Sequence, residues 1–194
     1  NLYTASSAAV DLGGARVGIR QKTDFPNSGM VTVEVDPSRP AAFELRLRIP
    51  AWASGAEVRV NGEAPRRDFH AGAFAVIARE WKAGDRVRVE LPMAIRLVRG
   101  RQQQAGRVAV MRGPVVYALN PVQNAEMAKL DAADLSRYTL DPASLALAAD
   151  ASVRPGGTAV RAGVWKPGYG TQPKHDLELT LTEFPDPGAR ATYF

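Results

Sequence analysis

The chain has no cysteine in its 194 residues. That absence removes disulfide staples, thiolate metal sites and a cysteine nucleophile together. Histidine is nearly as scarce: His70 and His175 stand far apart with no metal-ligand spacing between them, so no metal is expected. No serine sits in a G-x-S-x-G elbow. No glycine-rich phosphate loop carries its lysine, and Gly13-Gly14 and Gly156-Gly157 read as turns. No cofactor is expected from these residues. Apolar runs fall well short of the ~20 residues a membrane helix needs, so no membrane partner is expected. The first residue is Asn1, with no charged-then-apolar leader behind it. The chain therefore reads as a piece of a longer protein or a processed form.

What is present is arginine and alternation. The net charge is +5 with a sequence pI near 9.8, and arginine far outnumbers lysine. A basic balance raises the question of nucleic acid. Here, however, Arg46, Arg48, Arg59, Arg86 and Arg88 alternate with apolar residues, and Glu44, Glu57, Asp85 and Glu90 lie nearby. That pattern describes a solvated strand face, and no nucleic-acid partner is expected.

Period-two alternation predicts strands at 16–21, 30–35, 43–49, 58–60, 73–79 and 86–91. In FELRLRIPAWASGAEVRVNG, residues 43–62, Phe43, Leu45, Leu47 and Ile49 face one way against Glu44, Arg46 and Arg48. The stretch reads as a regular strand pair broken at Pro50-Ala51-Trp52, with a turn at Asn61-Gly62. Two further strands, 108–111 and 115–119, are apolar almost throughout and suit a pair covered on both faces. Others follow at 160–165 and 177–183, with a glycine- and proline-rich loop at 166–173. The fold class is all-β: two antiparallel β-sandwich domains of jelly-roll or immunoglobulin-like type in tandem. The first is expected over 1–104 and the second over 105–194, with a loop or short helix near 120–137.

Candidate chemistry is sparse. Asp24, Asp68, Glu80 and Asp85 lie in loops or at strand ends, where a carboxylate pair for glycosidic cleavage could be built. The same positions suit turn chemistry, in which the carboxylate bonds local backbone. His70 and His175 read as exposed surface histidines. Trp52 and Trp81 read as plugs at the ends of a core, with indole N–H groups bonded to carbonyls. Trp165 and Tyr169, beside the glycine-rich loop, are the candidate sugar-binding residues, since exposed aromatic rings stack on sugar faces. No catalytic residue is assigned.

Six stretches, in order, carry a resemblance: LYTAS, QKTDFPNSG, LRLRIPAWA, VRVNGE, REWKAGDRVRVELPM and RVAVMRGPVVYAL, spanning most of residues 2–119, with a worn LELTLTEFPDPG beyond. Together they resemble the C-terminal β-sandwich region of β-L-arabinofuranosidase-type glycoside hydrolases. The resemblance implies an upstream barrel of paired helices that carries the active site, with β-sandwich domains packed against it. It also implies a cysteine nucleophile near a zinc held by cysteines and a glutamate, and a chain without cysteine can supply none of those roles. The expected function is thus a non-catalytic accessory region bracing that barrel in the same polypeptide. A second copy meeting it through a sandwich face is a further candidate partner. The alternative is a carbohydrate-binding module using exposed aromatics.

Overall fold

The computed structural model describes residues 3–64, 69–127, 137–168 and 173–194. Its regular structure is antiparallel β throughout, with short 3-10 turns between strands. Among the described residues no helix is long and apolar enough to cross a membrane. The chain divides into two compact units, Asn1–Met93 and Ala94–Phe194.

The first unit contains β1 (Ser6–Leu12), β2 (Ala15–Thr23), β3 (Met30–Pro37), β4 (Ala41–Arg48), β5 (Glu57–Val60), β6 (Phe74–Trp81) and β7 (Asp85–Glu90). Five strands form one sheet in the order β1-β2-β3-β7-β5, and β4 pairs with β6 in a second layer. Alternation sets which residues meet. In β7 the buried Val87 and Val89 alternate with exposed Arg86, Arg88 and Glu90. They pair in register with Val33 and Val31 of β3. Leu45, Leu47, Ile49, Ala75 and Ile77 of the smaller layer share one core with Val17, Val31, Val33, Val35, Val58, Val60, Val87 and Val89 of the larger. That is a sandwich, held by side chains that a pleated strand places on every second position.

Residues 43–62 are not one strand pair. β4 lies in the two-stranded layer, whereas β5 pairs with β7 in the other. The chain crosses between layers at Pro50-Ala51-Trp52, where proline ends the ladder. Asn61 and Gly62 both take positive φ (53° and 89°), as a type I′ turn requires. Among the described residues the turn closes only the Val60–Glu63 bridge. Strand β1 went unread because SSAAVDL has no alternation, and all seven of its residues are exposed. It is held by its ladder to β2, from Ser6↔Gln21 to Leu12↔Ala15, across a turn in which Gly13 and Gly14 both have positive φ.

The second unit contains β8 (Ile95–Arg99), β9 (Val108–Arg112), β10 (Val115–Leu119), β11 (Thr139–Leu140), β12 (Ala146–Ala149), β13 (Thr158–Trp165) and β14 (Leu177–Glu183). The sheet runs β11-β13-β14-β10-β9-β8, with β12 also on β13. β10 is shared along its length: Val115 and Val116 pair with β9, Tyr117 to Leu119 with β14. Val110, Tyr117, Leu119, Val160, Val164, Leu179 and Leu181 form the centre of one core. The division at Met93–Ala94 precedes the boundary expected at residue 104. The reason is β8, which pairs along its whole length with β9 and packs Ile95 and Leu97 on the second core. Within 120–137, Pro121–Gln123 and Ala125–Met127 form 3-10 turns, and Met127 is buried. Residues 128–136 lie outside the described residues.

Candidate functional site

The aromatic candidates separate. Trp165 closes β13 and is only 9 % exposed. The His175 ring lies against it, centroids 5.0 Å apart at 51°. A stacking platform needs an open ring face, and little of this one meets solvent. Tyr169 lies outside the described residues. Trp81 is fully buried, donates its indole N–H to the Phe43 carbonyl at 3.1 Å and stacks on Phe43 at 5.7 Å. Trp52 is half-buried and parallel to Phe25 at 6.5 Å. Both belong to packing, as their places at strand ends suggested.

The two histidines differ. His70 is exposed. His175, expected to be exposed as well, is half-buried, with Nε2 2.7 Å from Asp141 Oδ2. Its ring lies flat over Gly163, where a Cβ would come within 2.4 Å of Nδ1. Asp141 also accepts the Ala143 N–H at 2.9 Å. These two bonds, the backbone one foremost, hold its carboxyl below the usual range. Among the described residues no group of three His, Asp or Glu is arranged to hold a metal.

The carboxylates at strand ends do turn chemistry. Asp85 accepts the Lys82 N–H at 2.9 Å and the Asn61 amide at 2.8 Å. Burial pushes its pKa up, but these bonds and nearby Arg79 outweigh it, and the net direction is down. The Asp24 carboxylate accepts the Ser28 hydroxyl, and its backbone carbonyl accepts the Asn27 N–H at 2.9 Å. Asp68 lies outside the described residues. Glu80 lines a groove of ≈ 810 Å³ with Glu44, Glu63, Phe69 and Arg79, but Glu44 is already bound by Arg46 at 2.6 Å.

The second unit buries polar groups that alternation could not reveal. Glu183, at the end of the clean LELTLTE pattern, is 2 % exposed. Arg154 Nε and Nη2 donate to its two oxygens at 2.5 and 2.8 Å, and the Thr158 N–H donates at 3.0 Å. The Tyr117 hydroxyl meets Thr158 Oγ1 at 2.5 Å, and burial raises the Tyr117 pKa. Asn124 gives its amide N–H to the Thr180 carbonyl (2.9 Å) and accepts the Thr180 N–H (2.8 Å), so one side chain completes the ladder edge of β14. Asp186 accepts from Asn120 and Thr182, both at 2.7 Å, and from the Gly188 N–H at 2.8 Å.

A smaller groove of ≈ 340 Å³ lies wholly within this unit, lined by Leu97, Arg107, Arg137, Tyr138, Leu140 and Pro142 among others. Among the described residues no aspartate or glutamate side chain lines it. Arg107 Nη1 donates to Gln104 Oε1 at 3.1 Å. Arg96, on β8 nearby, sends Nη2 to the Gly113 carbonyl at 3.0 Å, while its buried Nε finds no acceptor among the described residues.

Fold and sequence together are similar to the β-sandwich region of GH127-type glycoside hydrolases. More narrowly, residues 1–93 match the family described as the beta-L-arabinofuranosidase GH127 middle domain. A non-reducing end beta-L-arabinofuranosidase from Bifidobacterium longum subsp. longum is 34% identical over 115 residues, covering 55% of this chain and 17% of that protein. The crystal structure of a GH127 beta-L-arabinofuranosidase from Geobacillus stearothermophilus T6 superposes with TM-score 0.77 at 27% identity, over 99% of this chain and 32% of that one. A structure described as a GH127 beta-arabinofuranosidase shares the fold with TM-score 0.76 at 23% identity, over 100% of this chain and 34% of its own. The chain thus spans about a third or less of each of these relatives.

Proposed function

We propose that this chain is the accessory β-sandwich region of a GH127-type glycoside hydrolase, non-catalytic in itself. In this reading it braces a catalytic barrel of paired helices carried elsewhere in the same polypeptide. The observation that carries the reading is extent: the chain matches a middle domain and covers 17% of the curated arabinofuranosidase and 32% of the T6 enzyme. Composition supports it, since the cysteine nucleophile that the resemblance implies has no counterpart in this chain. So does β1, whose two faces are bare and which exposes Val10 and Leu12, the kind of surface a brace would cover.

The test is catalytic. At enzyme-like concentration the chain should release no nitrophenol from p-nitrophenyl β-L-arabinofuranoside. Added to a separately produced catalytic portion, it should raise that portion's melting temperature. Turnover that follows the chain through a further purification column would overturn the reading. Light scattering then decides whether a second copy takes the same surface: a dimer that β1 charge substitutions abolish would place it there.

A further inference from the structure

Gly18 stands in the middle of β2, a strand paired on both sides, and nothing in its own packing asks for glycine. Its φ lies outside the left-handed region that favours glycine. A Cβ there would meet the Asp36 carbonyl oxygen and Cβ at 3.5 and 3.7 Å, both ordinary contacts. Glycine weakens a strand interior and often marks a place where another group approaches the backbone closely. What it leaves here is space. A groove of ≈ 350 Å³ lies over it on the outer face of the larger sheet, with Ser7, Arg20, Glu34, Asp36 and Arg86 around it. Strand register sets that arrangement. Ser7, Arg20, Glu34 and Arg86 form one row across β1, β2, β3 and β7, and Ala9, Gly18 and Asp36 form the next. These residues and their neighbours in the chain all lie within the described residues.

We propose that this groove binds a neutral sugar residue, seated over Gly18 and held through its hydroxyls by Asp36, Arg20 and Ser7. Glu34 is already taken, by Lys22 at 2.7 Å and Arg86 at 3.5 Å. The side chains of Asp36, Arg20 and Ser7 make no hydrogen bond or ion pair among the described residues. They offer an acceptor-only carboxylate, a donor-only guanidinium and a hydroxyl that does both. Neighbouring hydroxyls of one sugar ring, each a donor and an acceptor, answer all three. Among the described residues two arginines and two carboxylates line the groove, so a charged ligand meets as much repulsion as attraction and a neutral one meets neither. No aromatic ring is among the described lining residues, which leaves hydroxyl contacts, not face stacking, to hold the sugar. The volume is at the small end of the ~300–1,000 Å³ of ligand pockets and suits a single ring. The site is separate from Trp165 and Tyr169, and it does not depend on the bracing role. Val10 and Leu12 pair with the buried Val17 and Ala15, on the opposite face of the sheet, so a brace laid over them leaves this groove open.

Amide chemical-shift titration of the 194-residue chain tests the site with four probes: neutral arabinotriose, neutral xylotriose, trigalacturonate and spermidine. At least one neutral trisaccharide should give saturable shifts at Gly18 and Asp36, with an affinity that stays constant as salt rises from about 50 to about 300 mM. Gly18→Thr should fold with unchanged circular dichroism and an equal or higher melting temperature, because threonine suits a strand, yet lose those shifts. Asp36→Ser and Arg20→Gln should each weaken binding about tenfold, and they carry the test should Gly18→Thr fail to fold. Arg16→Gln, on the same face of β2 but outside the groove, should change it less than about twofold. Four outcomes overturn the proposal: no saturable shift with either neutral sugar, a folded Gly18→Thr that binds as well as the parent chain, tighter binding of trigalacturonate or spermidine, or equal losses in the Arg20 and Arg16 variants.

Discussion

The core of residues 1–93 is drawn mostly from valine, leucine and isoleucine at alternating strand positions, with Trp81 at one end and Asp85 at its margin. That of residues 94–194 also encloses Asn120, Asn124, Thr182 and Glu183. An apolar interior tolerates exchange of one greasy side chain for another, and its register is set by which face is buried. A polar interior holds only while every donor and acceptor is matched. The first unit should therefore fail when a charge enters its buried face, and the second when one partner of a buried pair is removed.

The largest effect belongs to the first unit. Leu47 is 7 % exposed and sits opposite the fully buried Ala75. Leu47→Arg forfeits roughly 1.5 to 3 kcal/mol of burial and strands an unpaired cation in the core, a combined loss comparable with the stability of a small domain. Hydrogen exchange should show protection lost throughout 1–93. Arg46→Glu, one residue away on the outer face, should stay within about 1 kcal/mol, because Arg46 is mostly exposed and gives up only its Glu44 pair. Similar melts for the two variants would break the inside-outside assignment.

That contrast also explains what could be read in advance. β2 to β7 follow from alternation because one face of each meets the core and the other meets water. β1 could not be read this way because both its faces meet water, and β12 because ALAA carries too little contrast. β8 does not alternate, since its first four residues are all half-buried, and only its pairing with β9 shows which unit it joins. Glu183 ends a strand whose last three residues are buried on both faces, so its place in a polar alternation suggested a solvent position it does not have. His175 and Asp141 are 34 residues apart, and no local pattern announces that they meet. The Arg107–Arg137 groove is likewise assembled from two distant segments.

Next in size is Arg154→Ala, which leaves the Glu183 carboxylate buried without its cation. Removing one partner of such a pair costs about 3 to 5 kcal/mol. Protection should fall across 94–194 and persist in 1–93. Replacing Arg154 and Glu183 together by methionine and leucine should recover much of the loss, since an apolar pair of similar volume is often neutral. A double variant as unstable as the single one would show that the polar network itself is required.

Acid should act on the second unit through Asp186. Burial alone would raise its pKa, but the bonds from Gly188, Thr182 and Asn120 outweigh burial and lower it. A folded-state pKa below the unfolded value near 3.9 stabilises the fold above that value. The contribution fades as pH falls through the lowered folded-state pKa. Urea midpoints followed by exchange in 94–194 should therefore decline below about pH 4. Asp186→Asn should be less stable at pH 7 and show a flatter acid decline. A variant with an unchanged acid slope would remove Asp186 from the account.

The smallest effect lies on the outer face of the first unit. There Glu57 stands opposite Glu90 and Arg59 opposite Arg88, so both cross-strand pairs join like charges. Within β5 the opposite charges meet along the strand, in the Arg59–Glu57 bridge at 3.0 Å. Exchanging the two β5 residues, Glu57→Arg with Arg59→Glu, keeps composition, net charge and the along-strand pair while turning both cross-strand pairs attractive. The gain should be at most about 1 kcal/mol, because all four side chains are solvated. It should shrink in about 1 M salt, where screening reaches a few ångströms. A melting temperature that falls, or a gain that salt does not touch, would mean the face contributes through packing of the arginine stems and not through charge.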